Sequence, residues 1–158
     1  MLKIKIVCVG KIKEKYFSEA VNEYVKRVSR FAEITVKEVK EENFTSAPSC
    51  AEKEKITALE GERLKNELSG HVICLAVEGE TLSSEKLADK INGLKDRGVG
   101  EITFVIGGSY GISPAVKRQA NELVSFSRMT FPHTLFRVML AEQIYRAFMI
   151  SSGSVYHK

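Results

Sequence analysis

Apolar residues along this chain switch repeatedly between strand-like runs and helical spacing, and the switches delimit its elements. Leu2 to Val9 reads as a strand. Tyr16, Phe17, Ala20, Val21, Tyr24, Val25 and Val28 then recur at helical spacing, which predicts an amphipathic helix ending near Phe31. A shorter strand, Ile34 to Val39, follows. Lys40 to Ser49, with Asn43, Thr45, Ser46 and Pro48, reads as a loop, and Ser49 three residues before Glu52 has the spacing of a capping box. The helix opened there runs to about Leu68; it is highly charged, so a peripheral position is expected. Gly61 interrupts it at a cost of about 1 kcal/mol relative to Ala, marking either close packing or a kink.

Val72 to Val77 is nearly all apolar, as in strands buried on both faces of a parallel sheet. Gly79 is expected to turn the chain into a helix carrying the stripe Leu87, Ala88, Ile91 and Leu94. Ile102 to Ile106 forms the next strand, and Ser113-Pro114 suits the N-cap and first position of a further helix. A short strand around Val124 to Met129 leads to Pro132, which opens a helix running to about Ile150, with Gly153 as its stop. Strand and helix alternate throughout, predicting an α/β fold in which helices flank a mostly parallel sheet, with residues 1–158 as one domain. In such sheets ligands gather at the carboxyl ends of strands, here the loops after Val77, Ile106 and Met129.

Composition narrows the class without naming a chemistry. No apolar run approaches the roughly 20 residues of a membrane helix. The first residues, MLKIKIVCVGKIK, alternate Lys with apolar positions and lack a signal-peptide core. Cys8 and Cys74 lie in apolar strands and Cys50 stands alone, so neither a disulfide framework nor a Cys-x-x-Cys metal site is indicated. A cytoplasmic protein that binds neither membrane nor metal is expected. The net charge of +4 is mild, but its placement is uneven. From Leu123 onward Glu142 is the only acid, against Arg128, Arg137, Arg146 and Lys158. A second cluster, Lys3, Lys5, Lys11, Lys13 and Lys15, opens the chain and is read first as edge protection and solubility.

Candidate chemistry concentrates in the last third. Gly107-Gly108-Ser109-Tyr110-Gly111 follows a buried-looking strand, so its glycines serve either a tight turn or the close approach of a ligand to the backbone. The spacing is not that of a dinucleotide fingerprint or a P-loop, and the ribose-binding carboxylate of a nicotinamide enzyme is missing. Ser125 to His133 mixes hydroxyls, a cation and aromatics in a strand-to-helix passage. His133 falls at a helix start, where the local field disfavours an imidazolium and a neutral ring is able to accept a proton. The last helix bears enough apolar surface for both a core face and a dimer face. Its Glu142 and Arg146 are four apart, the spacing of an ordinary surface ion pair.

The stretches VGKIKEKYF, LSSEKLA, FVIGGSYG, SFSRMTFPH, RVMLAEQIYRAF and the terminal YHK, in this order, resemble the large-subunit ribosomal RNA methyltransferase H family of the SPOUT superfamily. The resemblance implies a trefoil-knotted α/β domain that works as a homodimer. It further implies S-adenosyl-L-methionine as methyl donor and methylation of N3 of a pseudouridine in 23S ribosomal RNA on the assembled ribosome. Carried over residue by residue, it places Leu75, Gly107 and Phe126, Ser127, Arg128, Met129, Thr130 and Phe131 at the cofactor. His133, Arg146, Tyr156 and His157 fall at the nucleotide, with the tail completing a site at the dimer interface. His133 is then the candidate base, and Arg146 or His157 the stabiliser of the imide anion. Lys11, Lys13, Lys15 and Arg128 are expected to meet phosphate. A non-catalytic ribosome-binding module and a nucleotide-dependent oxidoreductase are the competing readings.

Overall fold

Alternation along the first strand sends Ile4, Ile6 and Cys8 to one side and Val7 and Val9 to the other, and both sets are buried. That requires cover on both faces. In the computed structural model, which describes residues 1–43 and 46–158, five strands provide the middle layer: β1 (Lys3–Val9), β2 (Glu33–Val39), β3 (His71–Thr81), β4 (Glu101–Ile106) and β5 (Glu122–Ser125). They alternate with α1 (Lys15–Val28), α2 (Cys50–Lys65), α3 (Ser84–Asp96), α4 (Pro114–Gln119) and α5 (His133–Ser151). The sheet order is β2-β1-β4-β3-β5, with every described pair parallel. The larger core joins Ile4, Ile6, Ile73, Phe104 and Val124 to Val28 of α1, Leu87, Ala88, Ile91 and Leu94 of α3, and Leu140, Ile144 and Phe148 of α5. On the opposite face Val7, Val9, Cys74 and Val105 meet Leu64 of α2 and Val116 of α4.

The N-terminal signals act as their chemistry dictates. Ser49, Ser83 and Ser113 each accept a backbone N–H from three residues ahead, of Glu52, Lys86 and Val116, closing the starts of α2, α3 and α4. At the far end of α5, Gly153 takes a φ of +71° as the helix stops.

Five expectations are corrected. Gly79 does not turn the chain; it lies inside β3, which continues to Thr81. A Cβ at Gly79 would stand 2.6 Å from backbone atoms of Leu123 and Val124, so the glycine lets β5 close on β3 at a register shift between Leu75 and Glu80. The last strand occupies Glu122–Ser125 rather than Val124 to Met129, because the hydroxyls of Ser125 and Ser127 fold the following residues into a loop. The charged helix ends at Lys65 and is not peripheral: Ile56, Glu60, Gly61 and Leu64 are buried. Of the two readings of Gly61, close packing is the one realised, since a Cβ there would overlap the Ser113 side chain. Finally, β1 is an interior strand, so Lys3 and Lys5 do not protect an edge; Lys5 bonds Ser69 at 2.7 Å and pairs with Glu101 at 3.3 Å. Thr45, expected in the loop before α2, lies outside the described residues.

Candidate active site

Two adjacent strands leave the sheet in opposite directions. After β3 the chain crosses one face as α3, and after β4 it crosses the other as α4. Their carboxyl-end loops therefore diverge, and a crevice opens between them. Here it is a cavity of about 620 Å³, walled by Leu75 to Glu78, Ile106 to Gly108 and Ile112, and by Ser125 to Ser127 and Met129 to His133. That volume falls within the roughly 300–1,000 Å³ typical of small-molecule sites.

The glycine loop is both the turn and the wall. Gly108 and Gly111 form an antiparallel bridge, and the Gly111 N–H donates to the Gly108 carbonyl at 3.1 Å. Gly111 has a φ of +88°, where an L side chain is strained. A Cβ at Gly107 would lie 2.6 Å from the Gly111 carbonyl carbon and 2.8 Å from its oxygen, so the backbone turns back on itself where a side chain would have stood. Across the cavity Phe126 and Phe131 both pack on Phe136, with ring centroids at 5.0 and 6.2 Å. Ser125 and Ser127 spend their hydroxyls within the loop: Ser125 Oγ donates to the Ser127 carbonyl, and Ser127 Oγ accepts the Met129 N–H, each at 3.0 Å. Flat apolar walls and closely approaching backbone suit a heterocycle held without a charged clamp.

His133, the first residue of α5, also lines this cavity. Its Nδ1 is buried without a hydrogen-bond partner. Burial, and then the Arg137 cation, hold its pKa below the usual imidazole value, so the ring is neutral at pH 7. Arg137, one turn later, is fully buried. Its guanidinium donates to Glu38 at 2.7 Å and to the carbonyls of Val9 and Gly10 at 2.8 Å each, tying α5 to the carboxyl end of β1.

Arg146 belongs to a different cluster. It pairs with Glu142 at 2.5 Å, meets His157 Nδ1 at 3.0 Å and lies 4.9 Å from the centre of the Tyr156 ring. Tyr156 donates its hydroxyl to Glu142 at 3.1 Å, and its ring meets Tyr145 edge-on at 4.8 Å. Burial, followed by Tyr24 and the Glu142 charge, pushes the Tyr156 phenol up to about 12, so it remains protonated. His157 Nε2 reaches Glu85 at the start of α3, 2.7 Å away. The terminal residues are thus docked, and the Glu142–Arg146 pair is their anchor rather than an isolated surface pair.

The structure therefore gathers Leu75, Gly107, Phe126, Ser127, Met129, Thr130 and Phe131 at one cavity, with Arg128 on the same segment but exposed and outside the lining. It separates His133 from Arg146, Tyr156 and His157. Arg146 follows His133 by 13 positions on α5, about 20 Å along a helix. Between them lies a second cavity of about 380 Å³, walled by Leu82 to Ser84, Val138, Met139 and Glu142, which shares Phe126 with the first. Arg137 and Glu60 were not singled out by sequence reading. The available signal was positional: Arg137 shares a helix face with His133, four residues away, and Glu60 lies within the buried face of α2. Among the described residues, no group of three or more His, Cys, Asp or Glu side chains is placed to hold a metal ion, and no helix is long and apolar enough to cross a membrane.

Residues 2–157 match the family described as predicted SPOUT methyltransferase. The ribosomal RNA large subunit methyltransferase H of Lactobacillus acidophilus is 51% identical, covering 99% of this chain and 100% of its own length. That of Streptococcus uberis is 46% identical over the same shares. Two solved structures share the fold. A probable methyltransferase from Bordetella pertussis gives a TM-score of 0.55 at 11% identity, over 92% of this chain and 96% of that one. The tRNA (m1G37) methyltransferase of Aquifex aeolicus gives 0.51 at 12% identity, over 92% and 69%.

Proposed function

The chain belongs to the ribosomal RNA large subunit methyltransferase H family of SPOUT methyltransferases, and from this premise we propose that it methylates N3 of a pseudouridine in 23S ribosomal RNA on the assembled ribosome, in the cytoplasm. It does so as a single 1–158 domain with the family's trefoil knot. S-adenosyl-L-methionine is the methyl donor, and the cavity bounded by Leu75, Gly107, Phe126, Ser127, Met129, Thr130 and Phe131 is the observation that carries the reading. The fit is chemical: a cradle from which Gly107 excludes a side chain, and aromatic residues along the facing wall. When bound, the donor supplies an electrophilic methyl carried on a sulfonium.

The residues of this chain have three tasks. Phe126, Phe131 and the glycine loop orient the donor and exclude water from it. Methyl transfer to N3 would require the base to lose its N3 proton, and the neutral His133, which lines the cavity, would take it. The imide anion that develops needs a fixed cation, which Arg146 provides; hydrogen bonding to Glu142 raises its pKa further and keeps it charged. Because about 20 Å of helix separates the two, a homodimer, in which a second copy brings its Arg146, Tyr156 and His157 to the His133 cavity, satisfies both requirements. The half-buried apolar residues Leu135, Val138 and Met139 of α5 supply its contact surface.

Single-turnover transfer of labelled methyl to ribosomal subunits, free RNA and whole ribosomes, with mapping of the modified base, tests the proposal. Transfer to N3 of a pseudouridine in assembled particles is expected. Full activity in Arg146→Ala would remove the electrostatic role, and full activity in His133→Ala would remove the base.

A further inference from the structure

The turn between β1 and α1 runs beside the cofactor cavity. Gly10 is held through its carbonyl by Arg137, one helical turn from His133, and the Glu14 and Glu41 carboxylates lie close enough to His133 to act on its proton affinity. Charges on this turn are sorted by sign. Glu14 is half-buried, whereas Lys11 and Lys13 are exposed, and among the described residues neither has a carboxylate partner. Lys15 differs, standing 3.7 Å from Glu19. On the cavity's other wall Arg128 sits between the lining residues Ser127 and Met129, yet its own side chain is exposed and outside the lining, and it too lacks an acid partner among the described residues. Two unpaired cations thus stand on the turn that Arg137 ties beside His133 and a third on the segment walling the cavity, while Lys117, which lines it, is neutralised by Glu78. Beside them Tyr16 and Met129 are 66% and 72% exposed.

We propose that Lys11, Lys13 and Arg128 form a phosphate-binding lip that grips the ribosomal RNA backbone next to the nucleotide presented to the cavity. This rests on the reading of the site as an RNA methyltransferase. Unpaired, solvated cations gain most from a polyanion because binding releases its condensed counterions, and that release has a measurable slope against salt. None of the three is needed to hold the cofactor, so RNA affinity and cofactor affinity separate.

The experiment measures binding of the full-length protein to isolated large ribosomal subunits across a salt series, alongside calorimetry with S-adenosyl-L-methionine. For Lys11→Gln/Lys13→Gln/Arg128→Gln the slope of log K against log salt is expected to flatten by about 2 units, from roughly 0.7–0.9 per lost phosphate contact. Cofactor affinity is expected to stay within about twofold. Lys3→Gln/Lys95→Gln, which removes exposed cations at the amino end of the sheet, serves as the control and is expected to keep the wild-type slope. An unchanged slope in the triple variant, an equal flattening in the control, or wild-type binding that ignores salt overturns the lip. Methyl transfer is read separately: wild-type binding with the expected slope but no methylation counts against the enzymatic reading and leaves the lip standing.

Discussion

Gly61→Ala sets helix propensity against packing, and the structure decides the sign. In an exposed mid-helix position the substitution gains about 1 kcal/mol. Gly61, however, faces inward between α2 and α4. The new methyl would overlap Ser113 Oγ and stand 3.1 Å from Ser113 Cβ and 3.3 Å from Val116 Cγ2. Ser113 is 4% exposed and Val116 fully buried, so neither has room to retreat. Rotating the hydroxyl away breaks its 3.3 Å bond from the Val116 N–H, the N-cap of α4, at about 1 kcal/mol; leaving it in place forces the helices apart, and overpacking costs about 1–3 kcal/mol. Set against the propensity gain, the net expectation is a loss of up to about 2 kcal/mol, read as a fall of up to roughly 1 M in the urea midpoint with the slope unchanged. Because Ser113 lies two residues beyond Gly111, weaker cofactor binding should accompany it. Adding Ser113→Ala removes the overlapped oxygen, so the double variant should be more stable than the sum of the single changes. A midpoint raised by the full helix-propensity gain in Gly61→Ala would show that the α2–α4 contact yields freely and that the close-packing account is wrong.

Three further outcomes are expected. Gly107→Ala places its methyl against the Gly111 backbone, which has no rotamer to change, so calorimetry should show cofactor binding lost while circular dichroism stays near wild type. Deleting Tyr156 to Lys158 should abolish methyl transfer and leave the unfolding midpoint close to wild type, since none of these residues belongs to either core cluster; retained turnover would free the tail of any role. Glu60 is buried with one carboxyl oxygen unpartnered, and burial, only partly offset by the Glu42 N–H, raises its pKa. A raised pKa in the folded state means that its contribution to stability is complete below the ordinary carboxylate range and is lost as pH rises through the folded value. Urea midpoints from pH 5 to 8 should therefore fall less in Glu60→Gln than in wild type, and a gap that closes as pH rises would contradict the assignment.

The alternation of elements was legible because apolar period is a local property. Ser49 and Ser113 carried the spacing of caps and act as caps, and Ser83, which the sequence reading passed over, does the same. Glycine was less readable, because one residue type answers two demands: Gly79 and Gly61 admit neighbouring chain rather than turning or bending their own, and those neighbours, Leu123, Val124 and Ser113, are distant in sequence. Charge misled in the same way. Glu60 and Arg137 look like surface residues until the sheet and α5 close over them. The segment Phe126 to Phe131 stood out as unusual by composition, but its hydroxyls bond within the loop, a detail that spacing does not encode. His133 and Arg146 were grouped as one surface by the family resemblance; only the length of α5 reveals how far apart they stand.

That length sets a constraint of its own. α5 is an unbroken run of 19 residues, about 28 Å of hydrogen-bonded turns, so the offset between His133 and Arg146 is fixed by residue count rather than by any side chain. Each residue added or removed between them rotates one end by about 100° and shifts it by about 1.5 Å relative to the other. The middle of the helix, already bound to the core through Arg137, Leu140 and Ile144, is therefore closed to insertion and deletion as well: it acts as a ruler whose reading is its length.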